Sequence, residues 1–263
     1  MISELEFIRY LSSNQYPALR TVLSNNSEEL VTASTPWGEY YASVFERVLG
    51  NQIGSTDLSD AIMIEYGKTL GKLHKLSSQY NPKNRRWSYE DVFQWIKKTL
   101  RSFNSQEFAL AEVDFLQMHF SKIPKSPENY GLVHYDFELD NVFYDEAIGT
   151  CHVIDFDDAM YHWYAMDIEQ AFESINDELE PLCQEQAKKC FLKGYESVYS
   201  VTDQMLSLLP LFKRFANLYG YTRILRSSAE IWSNEPEWLI GLRAKLDEMM
   251  KNKSMNFGDG SLI

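Results

Sequence analysis

Between residues 131 and 142 the chain reads Gly131-Leu132-Val133-His134-Tyr135-Asp136-Phe137-Glu138-Leu139-Asp140-Asn141-Val142. An apolar run leads into His-x-Asp, and an asparagine follows that aspartate five positions later. Thirteen residues separate Asn141 from Asp155, which sits in Val153-Ile154-Asp155-Phe156-Asp157. Phosphoryl transfer needs this inventory. One aspartate orients an acceptor hydroxyl and takes its proton, while an asparagine and a second aspartate hold magnesium against the phosphates. Two metal ligands on the two arms of one hairpin can meet at one ion.

Elements must hold these residues in place. Gly131–His134 predicts a strand, and Val142–Tyr144 with Thr150–Ile154 predicts the hairpin. Upstream, Leu58–Leu76 predicts a long amphipathic helix, followed by helices over Ser88–Phe103 and Gln106–Phe120. From about Trp163 to Asn252 the pattern is helical, with breaks near Asn176–Pro181 and Asn234–Pro236, and Met255–Ile263 reads as a tail. At the front, Ile2–Leu11 predicts a short helix with Leu5, Ile8 and Leu11 on one face. Strand-like runs follow at Leu19–Leu23, Glu29–Ala33 and Glu39–Phe45, with turns at Asn25-Asn26-Ser27 and Pro36-Trp37-Gly38. The expectation is an α+β fold of two unequal lobes. Residues 1–50 form a partial N-lobe with its hinge at about 46–50, and residues 51–263 form a mainly helical C-lobe with the catalytic loop and the metal hairpin.

With its Ile-Asp-Phe-Asp strand and the upstream Leu70-Gly71-Lys72-Leu73-His74 helix end, the chain resembles the aminoglycoside phosphotransferase family, relatives of choline, homoserine and protein kinases. The resemblance runs from about Glu4 to the helices near Arg226 and implies a two-lobed protein-kinase-like fold. It implies ATP and Mg2+ as cofactors, with Asp136 as the catalytic base and His134 bracing the catalytic turn. Asn141 and Asp155 become magnesium ligands, with Asp157 assisting them, and Asp167 ties the catalytic loop to the following helix. Glu4 matches the family's small-lobe helix glutamate by position, and Glu46 and Val48 fall where backbone groups would receive adenine. The acceptor is expected to be a hydroxyl on a small, amine-bearing molecule.

The chain departs from the pattern in its loop. Tyr135 stands where the family often has glycine, and Glu138 and Asp140 add two negative charges beside the acceptor position. These two could hold a cationic substrate or be solvated loop charges. The first lysine is Lys68, and the one Gly-x-Gly, Gly258-Asp259-Gly260, lies in the tail. A phosphate-gripping loop and its lysine are therefore missing ahead of Glu4. This suggests a truncated relative of an active kinase with an incomplete N-lobe; completion of the lobe by another chain is a separate alternative. The alternative is a catalytically impaired, pseudokinase-like binding module. A metal-dependent hydrolase built on Asp136, Asp155, Asp157 and Asp158 is a third reading, but His119, His152 and His162 have no ligand spacing to support it.

Lys+Arg number 25 and Asp+Glu 38, a net charge of −13, which argues against a nucleic-acid partner. No run is long enough for a membrane span and no leader pattern opens the chain, so the expected location is cytoplasmic. Three cysteines without C-x-x-C suit reduced, mostly buried thiols. Self-association is an expectation from the apolar surface an incomplete lobe would expose. Tyr161, Trp163 and Tyr164 read as aromatic packing more readily than as a box for a quaternary amine, an ambiguity shared by Trp87, Trp95, Trp232 and Trp238. Lys213-Arg214 and Arg223–Arg226 read as a solvated helix face, and Asp177-Glu178-Leu179-Glu180 as a charge cluster at a helix N-terminus.

Overall fold

Leu5, Phe7, Ile8 and Leu11 are all buried, so the first helix forms where its apolar spacing puts it. In the computed structural model, which describes residues 1–104, 106–231 and 234–259, the chain is a mixed α+β fold. Trp232 and Gly260 lie outside the described residues. The first elements are α1 (Ile2–Ser13), β1 (Thr21–Val22), β2 (Val31–Thr35), β3 (Gly38–Ala42), β4 (Val44–Phe45) and β5 (Asn51–Gln52). Next come α2 (Asp60–Ser77), α3 (Tyr89–Arg101) and α4 (Glu107–Phe120). The strands β6 (Tyr130–Val133), β7 (Val142–Asp145), β8 (Thr150–Val153) and β9 (Met160–Trp163) follow. The chain then continues as α5 (Ala165–Glu178), α6 (Pro181–Glu196), α7 (Asp203–Leu206), α8 (Leu209–Ser227) and α9 (Glu237–Ser254).

The chain packs as two compact units, Met1–Arg86 with Ser126–Leu206, and Trp87–Lys125 with Ser207–Ile263. The lobe boundary expected at about residues 46–50 falls inside the first unit. Among the described residues that unit holds nine strands in four small antiparallel groups: β1–β4, β2–β3, β5–β7–β8 and β6–β9. Its helical centre is the crossing of α2 and α6, where glycines let two backbones meet. A methyl group at Gly67 would lie 1.9 Å from the Phe191 carbonyl oxygen, and one at Gly194 would lie 1.9 Å from that of Ile64. Ser59 caps α2 by accepting from the Ile62 N–H.

In the second unit Ser88 and Asp91 close a capping box at the start of α3. Phe93 packs edge-on to Phe215 at 5.2 Å and lies 5.8 Å from Phe120. Arg214, expected on a solvated face, is instead 7% exposed. It forms a fork to the fully buried Glu112, with Nε–Oε1 at 2.7 Å and Nη2–Oε2 at 2.6 Å. Its Nη1 also donates to the Asp259 carbonyl, and Glu112 accepts from the Gly258 N–H, so this ion pair pins the segment after α9. Periodicity alone could not separate a buried cation with a distant partner from a surface one.

Other differences are local. The run Glu39–Phe45 is two strands, β3 and β4, broken at Ser43. Just past the expected hinge at about residues 46–50, β5 pairs with β7. Gly50 sits at φ +86° with the Tyr144 carbonyl 2.2 Å from where a Cβ would be. The aromatic stretch Met160–Trp163 is a strand: Trp163 packs on Tyr130 at 5.4 Å, Tyr164 stacks on His74 at 4.5 Å, and Arg85 lies over Tyr161. Asp177 and Glu178 end α5, at the unfavourable pole of its dipole, while Glu180 of the same cluster is the N-cap of α6, as expected for a helix N-terminus. All three cysteines are free, Cys151 and Cys190 buried and Cys183 exposed.

Candidate active site

The catalytic loop hangs from the end of β6 and is held by its backbone. Asp167, fully buried on α5, accepts from the N–H groups of His134 and Tyr135, both at 2.8 Å, and from His74 Nε2 at 3.0 Å. Two further side chains on the same face of α5 continue the grip. Gln170 donates to the Tyr135 carbonyl at 2.7 Å, and Ser174 Oγ accepts from the Leu139 N–H at 3.0 Å. The spacing 167, 170, 174 is one helix face. From α2, Tyr66 Oη donates to the Phe137 carbonyl at 2.6 Å. Gln170 and Ser174 escaped the sequence reading; three polar residues at that spacing on a largely buried helix were the available signal.

Tyr135 adopts φ +65°, which explains why glycine serves well at such a position. Here the bonds to its N–H and carbonyl hold a large side chain in that conformation. His134 is fully buried. Its Nδ1 accepts from the Asp136 N–H at 3.2 Å, so Nε2 carries the proton and donates to the Ile154 carbonyl at 2.9 Å. Burial holds its pKa below the usual histidine value, consistent with a neutral ring that links the loop to the end of β8.

The hairpin brings the expected ligands together. Val142 pairs with Val153, and the Ile154 N–H donates to the Asn141 carbonyl at 3.0 Å, extending the ladder by one rung. Asn141 therefore faces the residue before Asp155. The Asn141 amide donates to the Asp136 carboxylate at 2.8 Å and to the Asp136 carbonyl at 3.0 Å, which leaves its Oδ1 for another partner. Asp155 is exposed at φ +61°, and its Oδ1 accepts from the Asp157 N–H at 3.4 Å. An amide oxygen and one or two carboxylates suit Mg2+, which keeps its remaining positions for phosphate and water. Among the described residues no group of three His, Cys, Asp or Glu side chains is placed to hold an ion.

Asp136 is partly buried, and burial pushes its carboxyl up to about 6. Donation from Asn141 opposes the rise, and the charges of Asp158, Asp140 and Asp155 add to it. A bound cation would oppose it further. Glu4, half-buried on α1, has its pKa raised by burial and feels the charges of Asp157, Arg86 and Asp155. The Glu46 N–H is taken by the Arg20 carbonyl at 2.8 Å, whereas the backbone groups of Val48 make no hydrogen bond within the described chain.

Glu138 and Asp140 line a cavity of about 390 Å3 together with Glu173, Asp177 and Glu178. No lysine or arginine lines it. Gln52 and Ser174 form part of the same wall; Gln52 donates to the Asp140 carbonyl at 2.6 Å.

A mixed α+β chain with this loop and hairpin has the organisation of a kinase-like phosphotransferase. The sequence model of the phosphotransferase enzyme family (APH) matches residues 1–199, and the chain belongs to that family of small-molecule phosphotransferases. It is 25% identical to amicoumacin kinase of Bacillus subtilis (strain 168), over 94% of this chain and 76% of that protein. Solved structures share the fold. Amicoumacin kinase in complex with AMP-PNP, Ca2+ and Ami aligns with a TM-score of 0.78 at 23% identity, covering 96% of this chain and 77% of its own. A microcompartment-associated aminopropanol kinase aligns at 0.71 and 20% identity, covering 100% and 82%. Spectinomycin phosphotransferase in complex with ADP and spectinomycin aligns at 0.57 and 15%, covering 95% and 78%. These matches do not show a truncated chain or an incomplete N-lobe. Among the described residues no helix is long and apolar enough to cross a membrane.

Proposed function

We propose that the chain transfers the γ-phosphate of ATP, with Mg2+, to a hydroxyl group of a small amine-bearing molecule. The observation that carries this reading is the cavity beside the catalytic loop, lined by five carboxylates and no cation. Two of those carboxylates, Asp177 and Glu178, stand at the C-terminal end of α5, where the helix dipole disfavours them. A site that breaks a local rule in this way is expected where a ligand compensates it. An ammonium about 4 Å from one such carboxylate gains roughly 4 kcal/mol at an effective dielectric of 20. One of the similar structures is named an aminopropanol kinase, an amino alcohol by name, which fits the same chemistry.

Asp136 orients the acceptor hydroxyl and takes its proton as the oxygen bonds to the γ-phosphorus. The bond to the bridging oxygen breaks, and ADP leaves with that electron pair. With its pKa at about 6, roughly nine in ten Asp136 side chains are ionised at pH 7 and able to accept. Asn141 Oδ1 and Asp155 would hold the metal, with Asp157 beside them. Mg2+, when bound there, would supply charge neutralisation for the phosphates. His134 keeps the Asp136 backbone in place, and Val48 offers free backbone groups to adenine. The binding-module reading keeps one observation: Lys68, the first lysine of the sequence, is paired with Glu65 at 3.0 Å. ADP release measured against a panel of amino alcohols and aminated sugars separates the two. Acceptor-dependent ADP formation that Asp136→Ala abolishes supports the transferase. ATP bound without any turnover over the whole panel would favour the binding module.

A further inference from the structure

Arg86 belongs to none of the kinase motifs. It lies on the linker between α2 and α3, half-buried, and reaches the segment that follows the metal aspartate. Its Nε donates to the Ala159 carbonyl and its Nη2 to the Asp157 carbonyl, a fork spanning the turn after Asp155. Within that turn Phe156 and Ala159 are buried, and Phe156 packs on His134 at 4.6 Å. Asp155 sits at φ +61°, a conformation that non-glycine residues adopt at a cost. The bonds within the turn are long, 3.4 Å from the Asp157 N–H to Asp155 Oδ1 and 3.2 Å from the Ala159 N–H to the Phe156 carbonyl. The linker that carries Arg86 is itself anchored. Glu6 of α1 accepts from the Lys83 N–H at 2.5 Å, the Asn84 N–H at 3.0 Å and Asn84 Nδ2 at 2.8 Å. A continuous chain of bonds therefore runs from α1 through residues 83–86 to residues 157–159. Glu4, on the same helix, feels the Arg86 charge, and so do Asp157 and Asp158.

We propose that Arg86 is a positioning residue for the metal site: its guanidinium clamps the backbone of residues 157–159 and so keeps Asp155 in the conformation that presents its carboxylate beside Asn141. The proposal rests on the phosphotransferase reading for its functional consequence, but the clamp itself does not. Arginine is required because its planar fork reaches two carbonyls at once, whereas a lysine ammonium is a single point on a longer, freer stem. Arg86 also places a cation toward Glu4.

Two measurements on the full chain test this, using Arg86→Gln and Arg86→Lys. Hydrogen–deuterium exchange reads the clamp: amides 156–160 should exchange about tenfold faster or more in both variants, with α2 and α6 unchanged. Calorimetry with ATP reads the consequence. The Mg2+-dependent part of the affinity should fall about tenfold or more in both variants, while ATP affinity in EDTA stays as in the parent. A general loosening of the fold would lower both affinities and speed exchange in α2 as well, and would overturn the positioning role. Wild-type exchange at residues 156–160 in Arg86→Gln, or full recovery of Mg2+-dependent binding in Arg86→Lys, would also overturn it. If the parent chain binds no Mg-ATP, the phosphotransferase reading fails, and the exchange comparison still decides the clamp.

Discussion

Replacing Asp167 by asparagine removes little volume and tests how the catalytic loop is held. The carboxylate is fully buried and accepts three hydrogen bonds, from His134 N–H, Tyr135 N–H and His74 Nε2. An asparagine offers one acceptor oxygen and one donor. Placed to keep His134 and His74, it turns its NH2 toward the Tyr135 N–H. One charge-assisted bond, worth roughly 1.5–3 kcal/mol, is lost, and a buried donor goes unpaired at roughly 1–3 kcal/mol. Relief of the buried charge's desolvation offsets part of this. The net cost should be about 3 kcal/mol. For a unit of this size each kcal/mol moves Tm by roughly 2–4 °C, so thermal unfolding should show a drop of about 6–12 °C. Turnover should fall as well, because Tyr135 at φ +65° loses the bond that fixes its N–H and Asp136 follows it in the chain. A Tm within about 2 °C of the parent, with unchanged turnover, would refute the claim that α5 positions the loop through Asp167.

Asp136→Ala should lower turnover by roughly 10²–10⁴-fold and spare ATP affinity, as measured by steady-state kinetics beside calorimetry. Neutralising the cavity with Asp177→Asn should raise the acceptor KM about tenfold with little change in kcat, and added salt should narrow that difference; an unchanged KM would remove the acidic cavity from acceptor binding. Glu112→Gln should destabilise the second unit by roughly 3–5 kcal/mol, since it leaves buried Arg214 without its partner, and limited proteolysis should then cut near residues 256–259. Stability should decline as pH falls below about 6.5. His74 and His134 have folded pKa values lowered by burial, so the unfolded chain binds more protons in that range, with a slope of up to about 1.4 kcal/mol per pH unit for each histidine. Asp136, raised to about 6, acts in the opposite sense and offsets part of the slope below that pH. Urea midpoints at pH 7 and pH 6 measure the effect, and a higher midpoint at pH 6 would contradict it.

The helices were legible because their apolar spacing is long and regular: α2, α3 and α4 begin and end within a few residues of the expected positions, and Ser88 with Asp91 marks a start by side-chain chemistry alone. Short strands were harder. β9 is four residues long, and its aromatic residues give no alternation distinct from helix or loop packing. β5 is two residues beside a glycine, and its pairing with β7 joins positions about ninety apart, which no local pattern records. In the site, residue types and spacing pointed to Asp136, Asn141 and Asp155 because a hairpin of fixed length separates the last two. Arg86 was invisible for the opposite reason: it acts on two backbone carbonyls, and a backbone partner leaves no mark on the sequence, while Gln170 and Ser174 left only their spacing from Asp167 on one helix face. Charge context misled at Asp177 and Glu178, where a helix end was taken for a helix start.

The most direct test of the phosphotransferase reading is calorimetric titration of the chain with Mg-ATP, repeated on Asp155→Asn. Binding by the parent, weakened at least about tenfold in the variant and lost in EDTA to the same level, is the expected result. Absence of binding by both proteins, or equal affinity in both, would contradict a metal–nucleotide site built on Asn141 and Asp155.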